Sequence, residues 1–240
     1  KLFFFLIYNY FIGMSIIFKS NTCKIYKHKK NYKLVYENGE KFTHFFKKIH
    51  KTLDVIDFKN NYIIFNAIKV ERLDNLLRRK SVLSYRHLKQ IFTNLGKQFE
   101  SLEKDGYSHL FLKLNDIVRI EIDNTSQFGG TGNDIFFLYL NTDKFLPINH
   151  NIIKIDRPFT KDNLFISPEL NKVKSFPVDI SSKSLYYSLA LLTCYCGNVG
   201  NRTILTEYHK FKFDYEKIKL YLSNIENTKL YWSLLRCLKY

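Results

Sequence analysis

Cysteine is scarce in this chain, and the few cysteines are far apart. Cys23, Cys194, Cys196 and Cys237 are too few and too scattered for a disulfide framework, which favours a reducing compartment. Cys194 and Cys196 stand in an apolar run, and no Cys/His pair at zinc spacing completes a metal site around them. We therefore interpret these two thiols as buried packing residues.

Glycine, proline and tryptophan are also scarce, at 9, 4 and 1 residues, whereas lysine, asparagine, isoleucine, tyrosine and phenylalanine are abundant. An AT-rich coding sequence gives this bias whatever the function of its product. The net charge of +16 would suit a partner rich in phosphate. Because the lysines are spread along the chain, with no basic run longer than Lys27–Lys30, we attribute the charge mainly to composition.

The chain is long and apolar enough to fold. Its 240 residues are 45% hydrophobic and 17% aromatic, which excludes a disordered chain and suffices for one bilobed domain or two small ones.

The beginning of the chain is almost uncharged, and three interpretations of it are open. Residues 2–18 (LFFFLIYNYFIGMSIIF) are near the lower length limit for a membrane span, so they suit a signal or membrane segment. They also suit sequence translated upstream of a start at Met14, or a buried first strand. We treat residues 1–13 as an apolar leader or upstream sequence, and expect membrane contact only if residues 2–18 are an anchor.

The next fifty residues predict a small sheet that carries one helix. Three short β-prone runs, SIIFKS, CKIYKH and YKLVYE, begin at residues 15, 23 and 32, and YIIFN at residues 62–66 predicts another strand. Between residues 41 and 53 the apolar side chains fall on one helical face: Phe42, Phe45, Phe46, Ile49 and Leu53.

A helical region follows the sheet. Residues 73–79 predict a short helix and residues 84–104 a long one. In the long helix six apolar side chains, spaced three and four apart, form one stripe that faces the core: Tyr85, Leu88, Phe92, Leu95, Phe99 and Leu102.

Two strands of a hairpin are predicted next, at residues 117–123 and 135–140. The segment between them contains Gly129, Gly130 and Gly132. A phosphate-binding loop leads from a strand into a helix, whereas this segment leads from strand to strand, so we interpret it as a hairpin loop.

The last hundred residues begin without a clear pattern, from residue 141 to residue 183. Leu185–Tyr195 (LYYSLALLTCY) is apolar on all sides, which predicts a helix buried within the domain, with Ser181 or Ser182 as its cap. Two amphipathic helices are predicted at residues 213–222 and 227–238.

The segment directly after the long helix resembles the catalytic loop of protein kinases. Residues 106–117 (GYSHLFLKLNDI) follow the pattern H-R-D-L-K-x-x-N before a strand, and His109, Leu112 and Lys113 match its histidine, leucine and lysine. Leu110 stands in place of the arginine. Phe111 stands in place of the catalytic aspartate, and Asp116 in place of the metal-binding asparagine.

Three further segments resemble the kinase family in order and spacing. FISPEL at residues 165–170 resembles the A-P-E sequence that closes the activation segment, with Pro168 and Glu169 in structural places. YYSLA at residues 186–190, which includes Tyr187, resembles the core of the buried helix of the large lobe. LYWSLLRCL at residues 230–238 resembles a helix near the end of the family domain.

The resemblance implies an α+β, bilobed, protein-kinase-like fold. We expect a small β-sheet lobe with one helix at residues 14–66 and a larger, mainly helical lobe at residues 67–240, truncated at its C-terminus. The chain is similar to degenerate kinase-like proteins of large nucleocytoplasmic DNA viruses, which implies a location in the host cytoplasm.

Several residues that kinase chemistry needs are replaced. Phe111 can accept no proton from an acceptor hydroxyl, and the missing general base is typically worth ~10²–10⁴-fold in rate. The lysine of the small sheet should fall near Tyr36, where only Lys33 is close, and no glutamate lies on the helix of residues 41–53 to pair with it. Lys19–Thr22 stands where a glycine-rich flap should be.

Oxygen ligands for a metal remain in the sequence. Asn141-Thr142-Asp143 stands at the D-F-G triplet, so Asn141 or Asp143, together with Asp116, would be the ligands of Mg²⁺ if ATP binds. The alternative is that Asn141 and Asp143 only end a strand. Without the aspartate, we expect His109 to be a hydrogen-bonded core residue and Lys113 to be exposed.

The sequence therefore predicts a pseudokinase that binds another protein and has no specific nucleic-acid ligand. One alternative is a residual Ser/Thr-type kinase in which Asp116, Asn141 or Asp143 has taken over the lost roles. The other is a basic, aromatic-rich nucleic-acid-binding protein.

Overall fold

The fold is a mixed α+β architecture built on antiparallel sheets. The computed structural model describes residues 15–80, 82–123, 133–159, 161, 164–197, 216, 219–220 and 222–239. The predicted leader, the three glycines of the hairpin loop and most of the helix predicted at residues 213–222 lie outside this part of the chain. Within it, no helix has both the length and the apolar character that crossing a membrane requires.

The first sheet has five antiparallel strands in the order β1-β2-β3-β5-β4. Helix α1 (Thr43–Thr52) connects β3 to β4, and the strands are β1 (Ser15–Lys19), β2 (Cys23–His28), β3 (Asn31–Tyr36), β4 (Asp54–Lys59) and β5 (Tyr62–Asn66). The strands predicted at β1, β2, β3 and β5 are confirmed, as is the helix. Strand β4 was not predicted.

Alternation along β3 gives this sheet one buried face. Tyr32, Leu34 and Tyr36 are buried, while Lys33 and Val35 between them are half-buried. The buried face shares one core with α1, whose Phe45 and Ile49 are fully buried.

A second sheet lies among the helices, with the order β6-β8-β9. Its strands are β6 (Lys69–Arg72), β8 (Ile117–Ile122) and β9 (Asp134–Tyr139), of which β8 and β9 form the predicted hairpin. The longer helices of this part are α2 (Leu73–Arg79), α3 (Tyr85–Lys104), α5 (Ser184–Gly197) and α6 (Lys229–Leu238), close to the predicted bounds.

Short elements fill the stretches without a clear sequence pattern. Strand β7 (Tyr107–Ser108) pairs with β10 (Leu146–Pro147), and β11 (Ile152–Ile155) pairs with β12 (Val178–Ser181); helix α4 (Pro168–Lys172) lies between them in sequence. A second, smaller core forms there around Leu110, Ile153, Ile166 and Leu170.

Helix α3 is the element against which the others pack. Its buried stripe consists of Leu88, Ile91, Leu95, Phe99 and Leu102. Two residues of the predicted stripe differ: Phe92 is half-buried, and Tyr85 is 40% exposed because it begins the helix. Helix α5 packs on α3 and is buried on nearly every side, as predicted.

A carboxylate at the end of α3 holds the first turn of α1. Asp105, directly after α3, accepts hydrogen bonds from the backbone N–H groups of His44 and Phe45, each at 2.9 Å, and its side chain is 5% exposed. Its Oδ1 also lies 2.7 Å from Nδ1 of His44. A residue 61 positions away thus caps α1, which has no side-chain cap of its own.

We predict that Asp105→Ala lowers the free energy of unfolding by about 1–2 kcal/mol, because two backbone N–H groups of α1 lose their acceptor. Urea denaturation measures this free energy of unfolding. Glu100→Ala is the matched control: within the described part of the chain Glu100 pairs with Lys104 alone, at the exposed surface, so its loss should cost about 0.5 kcal/mol or less. Equal losses in the two variants would contradict the capping role.

Candidate functional site

Asp116 and Asn141, two of the three residues predicted as metal ligands, are brought together by the β8–β9 hairpin. Asp116 directly precedes β8 and Asn141 closely follows β9, and Ile117 pairs with Tyr139 at that end of the hairpin. The backbone N–H of Leu140 donates to the carbonyl of Asp116 at 3.0 Å. The side-chain Nδ2 of Asn141 then donates to Oδ1 of Asp116 at 3.1 Å.

The orientation of Asn141 does not fit a magnesium ligand. Its Oδ1 accepts the backbone N–H of Asp143 at 3.2 Å, so its N–H₂ group, and not its oxygen, faces Asp116. Asp143 itself is exposed. No group of three or more His, Cys, Asp or Glu side chains in the described ranges could hold a metal. As arranged, Asp116 and Asn141 do not direct two side-chain oxygens at one shared point.

Asp116 is left as a buried carboxyl group with one unused oxygen. It is 6% exposed, and its Oδ2 has no hydrogen-bond partner among the described residues. Burial raises the pKa of Asp116, although the hydrogen bond from Asn141 and the charges of Lys144 and Lys113 oppose the shift.

His109 lies in the core, and Lys113 is exposed, as predicted. The Nδ1 of His109 lies 3.2 Å from the carbonyl oxygen of Lys144, and its Nε2 lies 2.7 Å from the hydroxyl of Tyr139. A neutral ring satisfies both contacts, with Nδ1–H donating to Lys144 and Nε2 accepting from Tyr139. Complete burial lowers the pKa of His109 from 6.5 to about 4.

Phe111 lies in an aromatic cluster. Its ring centroid is 5.0 Å from that of Phe159, which is 5.8 Å from that of Phe176. All three rings are half-buried, at the edge of the second core, and Leu110 beside them is fully buried in it. We call Phe111, Phe159 and Phe176 the aromatic patch.

Two stacked rings lie where the kinase resemblance predicts an ion pair between a lysine of the sheet and a glutamate of the helix. Tyr36 on β3 stacks on Phe46 of α1, with ring centroids 4.0 Å apart and an interplanar angle of 14°. Lys33 is on the other face of β3, with its Nζ 4.3 Å from the ring centroid of Tyr62. Lys33 is therefore not in place to substitute for the missing lysine.

The tip of the β1–β2 hairpin touches the turn that follows β9. The hairpin tip is a tight turn in which Ser20 and Cys23 bond to each other. The hydroxyls of Thr22 and Thr142 are 2.6 Å apart, which is hydrogen-bond contact. Beneath this contact, burial raises the pKa of the Cys23 thiol to about 12, so Cys23 is a packing residue.

The residues predicted to be structural join α4 to the start of α5. Pro168 occupies the first turn of α4, and Ser167 caps that helix by accepting from the N–H of Leu170 at 3.3 Å. Glu169 accepts from the N–H of Ser181 at 3.2 Å and from the hydroxyl of Ser184 at 2.9 Å. Tyr187, one turn into α5, is 1% exposed.

Comparisons with known proteins leave the family open. A scan of protein-family models gives no match, and a search of the curated proteins finds no similar sequence. The kinase resemblance therefore rests on the residues of this chain.

Sequence reasoning missed the partners of the predicted residues. Phe159 carries no motif of its own, and the contact of Thr142 with Thr22 spans 120 positions. The available signal was that Thr22 stands where the glycine-rich flap is expected and Thr142 stands in the triplet at the D-F-G position.

We predict that His109 makes the protein lose stability as the pH falls. Unfolded His109 takes up its proton near its ordinary pKa of 6.5, and folded His109 only near about 4, so the unfolded state binds more protons between these values. The free energy of unfolding should fall by about 3 kcal/mol from pH 6.5 to pH 4 on account of this residue, and be unaffected by it above pH 7.

The measurement is urea unfolding at several pH values for the wild type and His109→Gln, which removes the titrating ring and keeps a polar side chain. The other six histidines are common to both proteins. A pH slope that is the same in both would show that His109 does not cause the loss.

Proposed function

We propose that this chain is a pseudokinase: a bilobed, protein-kinase-like module that binds another protein and does not transfer phosphate. The small lobe corresponds to residues 14–66 and the large lobe to residues 67–240. A five-stranded antiparallel sheet with one helix, followed by a long helix, a loop, a hairpin and a buried helix, supports this assignment. Residues 109–116 occupy the loop between α3 and the hairpin, where the kinase resemblance expects them.

The contact between Thr22 and Thr142 carries the proposal. In the kinase alignment Thr22 belongs to the flap that covers the nucleotide phosphates, and Thr142 belongs to the turn that presents the metal ligand. Phosphates and Mg²⁺ would have to lie between these two segments. Hydroxyls 2.6 Å apart leave no space for them.

The side chains around this contact support the same conclusion. Tyr36 and Phe111 replace a lysine and an aspartate with rings, and Asn141 turns its amide N–H₂ toward Asp116. The buried face of the first sheet, which includes Ile25, Leu34 and Phe65, is at most 1% exposed at these residues. Each replacement removes a charged side chain. Without bound nucleotide and Mg²⁺, that side chain would have no partner of opposite charge.

The aromatic patch is the surface we propose for the protein partner. Phe111, Phe159 and Phe176 are half-buried neighbours. Phe111 belongs to the segment that resembles the catalytic loop, Phe159 lies between the positions of D-F-G and A-P-E, and Phe176 follows them. Aromatic side chains that present part of a ring at the surface are the usual anchors of protein interfaces. The described cysteines are free thiols, which supports the proposed cytoplasmic location.

We predict no Mg²⁺-dependent nucleotide binding and no autophosphorylation, because the phosphate path is closed. The purified chain is heated with ATP and Mg²⁺, with ATP and EDTA, and without nucleotide, and incorporation of labelled phosphate is measured in parallel. A melting shift that requires Mg²⁺, together with autophosphorylation, would establish the residual kinase instead. Strong, salt-sensitive retention of single-stranded oligonucleotides on a filter would establish the nucleic-acid binder.

We predict that Phe111→Asp weakens partner capture by about tenfold or more, because it puts a charge into the anchor of the interface. The same change also restores the kinase aspartate, yet we expect no autophosphorylation. The tagged wild type and the tagged variant are each used to capture proteins, and the amount of each captured protein is compared between the two.

Phe58→Asp is the matched control, since Phe58 is 62% exposed on β4, outside the aromatic patch. Melting curves of both variants show whether they are folded. Equal capture by the wild type and both variants would place the interface elsewhere.

A further inference from the structure

A second concave site lies away from the residues aligned with the kinase cleft. It is a cavity of about 250 Å³ between α1, α3 and β9. The lining residues that matter here are Lys48, Lys51, Asn94, Lys97, Phe136 and Leu138.

The charge of this cavity has one sign. Three lysines line it, and no aspartate or glutamate does. None of the three forms an ion pair within the part of the chain that the structure describes. Several cations elsewhere are paired: Lys69, Arg79 and Arg119 share the carboxylate of Glu71.

The helix dipole accounts for only one of these lysines. Lys51 is in the last turn of α1, where a cation is favourable. Lys97 is in the middle of α3, so no such effect applies to it. The three lysines therefore give the cavity a positive charge that an anionic ligand would complement.

Asn94 adds a neutral donor to the three ammonium groups. Its Oδ1 accepts the backbone N–H of Phe137 at 3.1 Å, which fixes the side-chain amide. Its Nδ2 is then a donor without a partner among the described residues. Neighbouring Gln98 does not contribute, because both ends of its amide are bonded to the backbone of Tyr139 at 2.8 Å.

The cavity is small and has an apolar wall. Phe136 and Leu138, two apart on β9, form this wall. A volume of about 250 Å³ is below the ~300–1,000 Å³ of sites for drug-sized ligands. A compact ligand that only accepts hydrogen bonds and carries about three negative charges matches this lining.

We propose that this cavity binds a small anion that carries more than one phosphate group. Lysine is a common phosphate ligand and acts as a point charge. Lys48 and Lys51 come from α1 and Lys97 from α3, so the bound anion joins the helix of the first sheet to the long helix. Such a ligand stabilises the folded state by an amount that grows with its concentration.

The experiment is a thermal melt of the full chain with tripolyphosphate, at constant ionic strength set with sodium chloride. We expect the melting temperature to rise with tripolyphosphate concentration, and to go on rising with its logarithm above Kd. The variant K48Q/K51Q/K97Q should bind on the order of ten- to a hundredfold more weakly, because each lost ion pair contributes modestly. A matched control, K172Q/K174Q/K183Q, removes three other exposed lysines and should keep wild-type affinity.

Parallel melts with pyrophosphate, ATP in EDTA and an inositol polyphosphate identify which source of phosphate fits best. Absence of a shift with every anion would overturn the proposal. Equal shifts for wild type and K48Q/K51Q/K97Q would also overturn it, since the effect would then be nonspecific. All these melts contain EDTA, whereas the pseudokinase proposal is tested by nucleotide binding that depends on Mg²⁺. A negative result for the cavity can therefore be distinguished from a negative result for the pseudokinase proposal.

Discussion

The structure depends on how the backbone of β9 is satisfied inside the core. One edge of β9 pairs with β8, and the other faces α3, which has no free backbone groups to offer. Gln98 of α3 replaces a neighbouring strand: its amide bonds both the N–H and the carbonyl of Tyr139 at 2.8 Å, and Asn94, one turn earlier, accepts from Phe137. Buried peptide groups without partners are costly, so this interaction fixes the distance and rotation of α3 against the hairpin.

The candidate site follows from that placement. With Tyr139 held, its hydroxyl meets His109 and the next residues, Asn141 and Thr142, reach Asp116 and Thr22. Charged side chains in a closed interior of this kind are destabilising unless a partner of opposite charge neutralises them. The rings of Tyr36 and Phe46 stack in this interior, and Asp116 is a buried carboxyl group with one oxygen that has no partner among the described residues.

Sequence reasoning succeeded where the pattern is periodic. Burial can be predicted directly from the apolar stripe of α3, from the alternation along β3 and from the wholly apolar α5. These three elements therefore lie close to their predicted bounds. It missed β4, whose residues Ile56 and Phe58 are exposed at the edge of the sheet and so show no alternation. It also missed β11 and β12, which are too short to show a period, although they build the second core.

Pairs of residues far apart in the chain were beyond sequence reasoning for a different reason. The sequence draws attention to Phe111, but only the fold brings Phe159 and Phe176 close to it, and only the fold brings Thr142 close to Thr22.

The placement of charged side chains was also beyond sequence reasoning. A biased composition explains why lysines are numerous, yet it predicts them scattered over the surface with acids among them. It does not explain why Lys48, Lys51 and Lys97 meet at one cavity without an acid, and that selective placement is the reason to assign the cavity a ligand.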